Sequence, residues 1–510
     1  KELKRLAREG YWARSRELRA QVYHQVIQQV TCRLVTPDAL VYTDVAGRLF
    51  GKQSVSSHPL PDFLEGCSMP TYCLNLEGVT ALKKILICIG NLFPDITYSP
   101  ALPALAALLL HYSRGEAQCF ENISRLIASN APHTSYIDQS FLAHQASCMT
   151  FGDLANKHCP AAHRLIASTS ENVFEVYSEW LSWLFHDLPF SYAIRIFDVY
   201  LLEGQKVLYR IALALLKQYR LSGSSSELQG TDIKADLQAF LQNIEEHVTV
   251  DKLLERAFGI RLFSRKEIWL LQMANRKALM ERGITMVQSS NRRPLLRRQS
   301  FHLAVDLQNF TSSIVTAQEM RIIWSWIPER FSLFPPLLLF STSENGYSLQ
   351  RFYSCCEGYE PTVLLIKTTE GEVCGAFLSS DWSERRKSGA TSGFFGTGEC
   401  FVFTVSHLLL FISTEGFGLS SRLRVPAPAH GGGRLSPFLA IRHFLLPSKT
   451  ASMFMSGSRE GIIIGGGGGQ ALALDADLHW GHTEPCDTFD NPPLCQENFK
   501  VQLLEAWGFQ

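Results

Sequence analysis

Three pairs of basic residues stand out among the side chains able to do chemistry: Lys4 and Arg8, Lys206 and Arg210, Arg261 and Arg265. Each pair is spaced i, i+4 on a predicted helix or helix start. That spacing puts both cations on one helical face, where they repel unless an anion lies between them. The middle pair interrupts a strongly apolar segment (Val207, Leu208, Ile211, Leu213, Leu215, Leu216), so its charges sit near a core. Spacing alone leaves two arrangements open. In the commoner one, each pair extends to solvent along its aliphatic stem or meets a carboxylate such as Glu203 or Glu255. In the other, the pairs share an anionic ligand, and removing one cation should leave stability unchanged or raise it.

Two further groups invite a chemical reading. Gly465–Gly469 is followed by Gln470-Ala471, whereas a phosphate-cradling loop needs a Lys-Ser/Thr there to supply an ammonium and a hydroxyl. The run reads instead as a tight strand-to-strand connection. His479, His482, Cys486 and Cys495 have the donor types that zinc takes. Cys495, however, follows Pro492–Pro493 among apolar neighbours, as a core thiol does, and no metal or cofactor is expected. No G-x-S-x-G, H-E-x-x-H or G-x-x-x-x-G-K-S/T segment occurs, which removes the commonest hydrolase, metalloprotease and P-loop readings.

The elements that must position these residues fall into two textures. Residues 1–285 read as helical: Ala81–Phe93, Ala101–Tyr112, Val173–Phe185, Lys206–Gln218 and Leu253–Leu279 carry apolar residues at three- and four-residue intervals, and Pro94, Pro100, Pro103 and Pro189 mark breaks. Ser222–Gly230 reads as a flexible insertion. Residues 286–311, polar with Arg292, Arg293, Arg297 and Arg298, read as a linker. Beyond it, Pro336–Phe340, Thr362–Lys367, Cys374–Leu378, Cys400–Val405 and Gly461–Ile464 are short, β-branched or aromatic runs bounded by glycine, which predicts strands.

A length of 510 residues with 46% apolar content supports two or three domains with sizeable cores. Lys+Arg and Asp+Glu are 48 each, so nothing pulls the whole chain toward nucleic acid, and attraction to an anionic surface must come from local clustering. Thirteen irregularly spaced cysteines without a C-x-x-C predict reduced thiols in the cytoplasm. The start at Lys1, inside a basic amphipathic pattern, reads as that of a fragment. The longest apolar runs, such as Ala101–Leu110, fall short of the ~20 residues needed to span a bilayer, so membrane contact is expected to be peripheral.

The segment from Arg195-Ile196-Phe197-Asp198 through Glu203-Gly204-Gln205-Lys206 to the Ala212–Leu216 helix resembles the TBC (Rab GTPase-activating) domain, whose signature there is R-x-[WF]-D-x-[FY]-[LF]-x-E-G-x-K. Gly10, Leu18-Arg19 and Val22-Tyr23 resemble its start. In that family an arginine in I-x-x-D-x-x-R neutralises the transferred phosphoryl and a glutamine in Y-x-Q orients the attacking water, and such an arginine finger is worth ~10³–10⁵ in rate. Here Tyr98-Ser99-Pro100 has proline in place of the glutamine, and Val41-x-x-Asp44-x-x-Gly47 has glycine in place of the arginine, with Arg48 one position late. Proline can neither donate to a water nor hold one through an amide. The resemblance therefore implies a TBC domain without dual-finger catalysis.

The later half resembles a TLDc domain, through Leu338-Leu339-Phe340-Ser341, Gly396-Thr397-Gly398-Glu399-Cys400-Phe401, Gly465–Ala471, Cys486-Asp487-Thr488-Phe489 and Glu505-Ala506-Trp507-Gly508-Phe509. His407–Leu435 departs from the family pattern. The resemblance implies a multidomain chain, an all-α TBC domain over 1–285 followed by a β-sandwich-like α+β TLDc domain over 312–510. TBC–TLDc proteins are linked to synaptic vesicle trafficking, neurite development and small GTPases of the Rab and Arf classes. Their TLDc half implies oxidative-stress protection and contact with the vacuolar proton pump. They also imply phosphoinositide binding in a cationic pocket, to which Lys4, Arg8, Lys206, Arg210, Arg261 and Arg265 correspond. The expected protein is a cytoplasmic adaptor, peripheral on vesicle and plasma membranes and extending to the presynaptic terminal. The alternatives are an atypical active Rab GTPase activator and a proton-pump regulator acting through TLDc.

Overall fold

Side-chain oxygens start many of the helices. Ser15, Asp38, Asn75, Ser140, Thr249 and Ser264 each accept a hydrogen bond from the backbone N–H three residues on, satisfying a donor that the first helical turn leaves free. The computed structural model describes the chain except residues 65, 68, 71, 131–134, 171, 223–231, 262, 285–306, 308–309, 388–392, 411–435, 446–450 and 510. The insertion expected at Ser222–Gly230 and most of the expected linker 286–311 lie outside the described residues. The chain divides into two units, Lys1–Ala304 with Pro328–Leu333, and Val305–Ile327 with Phe334–Gln510.

The first unit is helical. Its centre is the pair Phe190–Glu203 and Lys206–Leu221, with Leu102–Leu110 buried along nearly its whole length. Two buried arginines inside it are paired. Arg19 donates to both oxygens of Asp198, each at 2.9 Å, and the Tyr23 hydroxyl donates to the same carboxylate at 2.5 Å. Arg195 donates to the Ala7 and Arg8 carbonyls at 3.0 Å each and to Asp251 at 3.0 Å, which fastens the first helix, Glu2–Arg8, to the centre. Gly10 has φ 72°, and a Cβ there would lie 2.8 Å from the Arg195 guanidinium carbon, so both backbone and space require glycine.

Two predicted helices differ. Leu253–Leu279 is two helices, Val250–Phe258 and Arg265–Glu281, because the chain turns at Gly259 and restarts at the Ser264 cap. Val173–Phe185 is broken into Val173–Tyr177, Trp180–Ser182 and a π-helical turn Trp183–Asp187, whose aromatic side chains are buried.

In the second unit the strands are β1 (Pro336–Ser341), β2 (Thr362–Thr368), β3 (Val373–Leu378), β4 (Phe401–Leu410), β5 (Ser436–Leu445), β6 (Met455–Gly457), β7 (Gly461–Ile464), β8 (Leu472–Asp475), β9 (Trp480–His482) and β10 (Asn498–Phe509). Their order is β5-β4-β3-β2-β10-β9-β8-β7-β6, with β1 also paired to β10. β10 is long enough to pair antiparallel with β9 at one end and with β1 and β2 along the rest. The two halves thereby share one core, a buried cluster to which Ile366 and Ala376 belong together with Ile462 and Leu472. This is the β-sandwich-like arrangement expected. Glu505 is buried on β10 and satisfied: Ser312 Oγ, the Ser313 N–H and Trp507 Nε1 donate to it at 2.6, 2.8 and 3.0 Å. The Gly465–Gly469 run connects β7 to β8, with φ 88° at Gly467 facing Asp487, a position only glycine fills easily.

Candidate functional site

The corner Glu203-Gly204-Gln205-Lys206 joins the two central helices, and Gly204 turns it at φ 73°. The Glu203 carboxylate accepts from Arg8 Nε at 3.0 Å and Nη2 at 2.6 Å, while the Glu203 carbonyl accepts from Arg265 Nη2 at 3.2 Å. Three chain segments far apart in sequence thus converge on one residue. Lys206 lies among them. Burial pushes its ammonium down to about 8, Arg210 adds to the fall, Glu203 opposes it, and Arg265 and Lys4 lower it further. Aromatic rings line the same place: the Arg8 guanidinium is 3.8 Å from the Phe258 ring centre and Lys206 Nζ is 5.7 Å from that of Phe263.

The six basic residues read from the sequence are not equivalent. Lys4, Arg8, Lys206 and Arg265 are half-buried around the corner. Arg210 is buried and already engaged. It donates to the carbonyls of Ala257 at 2.9 Å, Ile260 at 3.1 Å and Phe263 at 3.4 Å, closing the end of helix Val250–Phe258. Arg261 is exposed, and among the described contacts none joins it to the other five. Glu203 is a partner as expected, whereas Glu255 pairs with Lys252 at 2.8 Å.

Beside the corner opens a cleft of about 350 Å³ lined by Lys206, Arg265, Arg33, Arg276, Asp138 and Gln205, among others. Burial pushes the Asp138 carboxyl up to about 6, against the hydrogen bonds of Ser147 and Gln205 that favour its charge. Arg33, Arg276, Asp138 and the aromatic floor were not read from the sequence. Each is a single residue with no periodic partner, and only the fold brings them together.

At the expected finger positions, Gly47 is exposed on helix Ala39–Phe50, and the next residue, Arg48, is held by Asp44 at 3.0 Å. Pro100 precedes helix Leu102–Leu110 and lines a narrow space with Asp138, His144 and Gln205. In the second unit His482 pairs with Glu484 at 3.0 Å, His479 stacks on Tyr347, and the Cys486 thiol donates to Asn491 at 3.2 Å. Among the described residues no group of three or more His, Cys, Asp or Glu is placed to hold a metal, and no helix is long and apolar enough to cross a membrane.

Comparison with known proteins finds two domain families along the chain. The Rab-GTPase-TBC domain matches residues 68–222, and the TLDc domain matches 308–418 and 435–510, so the departure expected over His407–Leu435 narrows to the unmatched residues 419–434. The chain is 54% identical to TBC1 domain family member 24 of Xenopus laevis, over 100% of this chain and 92% of that protein. It is 29% identical to the GTPase-activating protein skywalker of Drosophila melanogaster, over 100% of this chain and 87% of that one. Among solved structures, the TBC domain of Skywalker/TBC1D24 from Drosophila melanogaster in complex with inositol(1,4,5)triphosphate matches with 28% identity and a TM-score of 0.46, covering 52% of this chain and 93% of that one.

Proposed function

Because the chain belongs to the family of TBC1 domain family member 24, in which a TBC domain precedes a TLDc domain, we propose that it is a membrane-trafficking adaptor that binds phosphoinositide headgroups at the Glu203–Lys206 corner and holds Rab- or Arf-class GTPases without accelerating their hydrolysis. One observation carries the lipid reading: Lys4, Arg8, Lys206, Arg210 and Arg265 gather about the corner at Glu203, where among the described residues only one carboxylate faces them. A depressed lysine marks an unmet demand for negative charge, and a phosphorylated ring would meet it with charge-assisted hydrogen bonds. Arg8 and Arg265 would offer planar donor forks, and Lys206 a point charge. Arg261, being exposed, would reach only the rim.

Co-sedimentation with vesicles carrying one phosphoinositide each tests this. Lys206→Gln and Arg265→Gln should each weaken binding at least about tenfold, or ~1.4 kcal/mol. Equal binding to neutral vesicles, or full affinity in both variants, overturns the reading.

Catalytic silence rests on Pro100 and Gly47 in place of the two fingers. Single-turnover hydrolysis by a panel of Rab and Arf GTPases should stay within a few-fold of the intrinsic rate. The relative named a GTPase-activating protein favours the second reading, an atypical activator, and a gain near ~10³–10⁵ would establish it. For the TLDc unit, oxidative-stress protection and proton-pump contact are carried by family resemblance, as is a peripheral place on vesicle membranes.

A further inference from the structure

Exposed apolar residues adjoin two of the segments that line the cationic cleft. Arg33, which lines it, is followed by Leu34 at 80% and Val35 at 100% exposure. A second lining segment, helix Arg265–Glu281, contributes Trp269 and Met273, and Leu270 and Met273 remain 51% and 43% exposed. A single exposed leucine needs no explanation, but apolar groups converging on one polar cleft do. Basic residues accompany them: Lys266 and Lys277 are exposed on the same helix, and Arg33, Arg265 and Arg276 line the cleft itself.

We propose that Leu34, Val35, Leu270 and Met273 form a rim that enters the acyl boundary of an anionic bilayer while the cleft between them takes the phosphorylated headgroup. This deepens the lipid reading above and rests on it. The occupant is set by charge and shape together. Cations beside projecting apolar side chains suit a surface that is negative at headgroup depth and apolar just below. The aliphatic stems of Lys266 and Lys277 would lie along the same boundary with their ammonium groups at the phosphates. A folded protein partner would instead have to be apolar and anionic at alternating spots across the cleft mouth.

The test uses the full chain with two variants at residues that do not line the cleft, the double Leu34→Ser with Val35→Ser and the single Leu270→Ser. Affinity is measured for soluble inositol trisphosphate and, separately, for vesicles of phosphatidylcholine with phosphatidylserine and a phosphoinositide. Each variant should keep its soluble-ligand affinity within about twofold, which also certifies its fold, and lose vesicle affinity at least roughly tenfold. Lipids brominated on the acyl chain should quench the emission of the wild type more than that of Trp269→Phe. Unchanged vesicle affinity with no such quenching overturns the rim. So does loss of GTPase retention with vesicle binding intact, which would give this face to a protein partner. If the wild type ignores soluble inositol trisphosphate while both variants still lose vesicle binding, the pocket reading fails and the rim stands.

Discussion

Lys206 and Arg210 lie one helical turn apart and meet different fates. Arg210 spends its donors on three carbonyls that close helix Val250–Phe258, so it stabilises the free protein. This corrects the expectation that removing a cation from a repulsive pair leaves stability unchanged or raises it. Arg210→Cys should cost about 3 kcal/mol, at roughly one per lost hydrogen bond, whereas Arg8→Cys, which breaks a half-exposed pair, should cost about 1 kcal/mol. Denaturant melts without ligand will separate the two. Lys206 carries a different signature. Its folded pKa lies near 8, below the unfolded value, so between about pH 8 and 10.5 the folded state holds fewer protons and this group makes stability rise with pH. An anionic ligand favours the charged form and raises the pKa. Affinity should therefore fall as pH climbs above 8, with proton uptake on binding visible as a buffer-dependent heat in calorimetry. Equal affinity at pH 7 and pH 9 would remove Lys206 from the site.

Among the elements, the short turn Glu329–Leu333 belongs to the helical unit although its residues follow the expected linker. The Glu329 N–H donates to Asp153 Oδ1 at 2.9 Å, and its carboxyl fills the space that glycine leaves at 152. Burial, then Asp153, pushes that carboxyl up to about 8. A raised carboxyl means the folded state binds the extra proton between about pH 4.5 and 8, so this contribution to stability falls as pH rises through that window. Glu329→Gln keeps the shape without the charge. At pH 8 it should gain about 1 kcal/mol, or roughly 2–4 °C in Tm, and the gain should vanish at pH 4.5. Nothing in the sequence signalled this turn, because its partner lies far back in the chain. The elements that were legible are those with local periodicity or punctuation, such as Lys206–Leu221 and β1 to β4. β10 was missed as a strand: Phe499 and Val501 alternate as a half-buried strand should, but Leu504–Gly508 is buried without a break, since that part is covered on both faces. The corner itself was legible through the E-G-x-K signature and the i, i+4 pairs. Its aromatic floor and the cleft beside it depend on the tertiary fold.

At the scale of the whole molecule, 48 positive and 48 negative side chains cancel, so attraction to a membrane depends on where the helical unit concentrates its cations. The consequence is thermodynamic as well as geometric. Each unit buries its own core, helices around Phe190–Glu203 and Lys206–Leu221 in one and the sandwich around β10 in the other. A ligand that binds one folded unit stabilises that unit by RT ln(1 + [L]/Kd), about 2.7 kcal/mol at 100 Kd. All the proposed ligand contacts come from residues 4–277, inside the first unit. Scanning calorimetry of the full chain should therefore resolve more than one transition, and soluble inositol trisphosphate should move only the one that carries the loss of helical circular dichroism. The same experiment on Lys206→Gln with Arg265→Gln should show that transition unmoved by ligand while the other stays where it was. A single transition that shifts as a whole would mean that the units unfold as one. A shift confined to the β-rich transition would place the anion site in the TLDc unit and remove it from the helical corner.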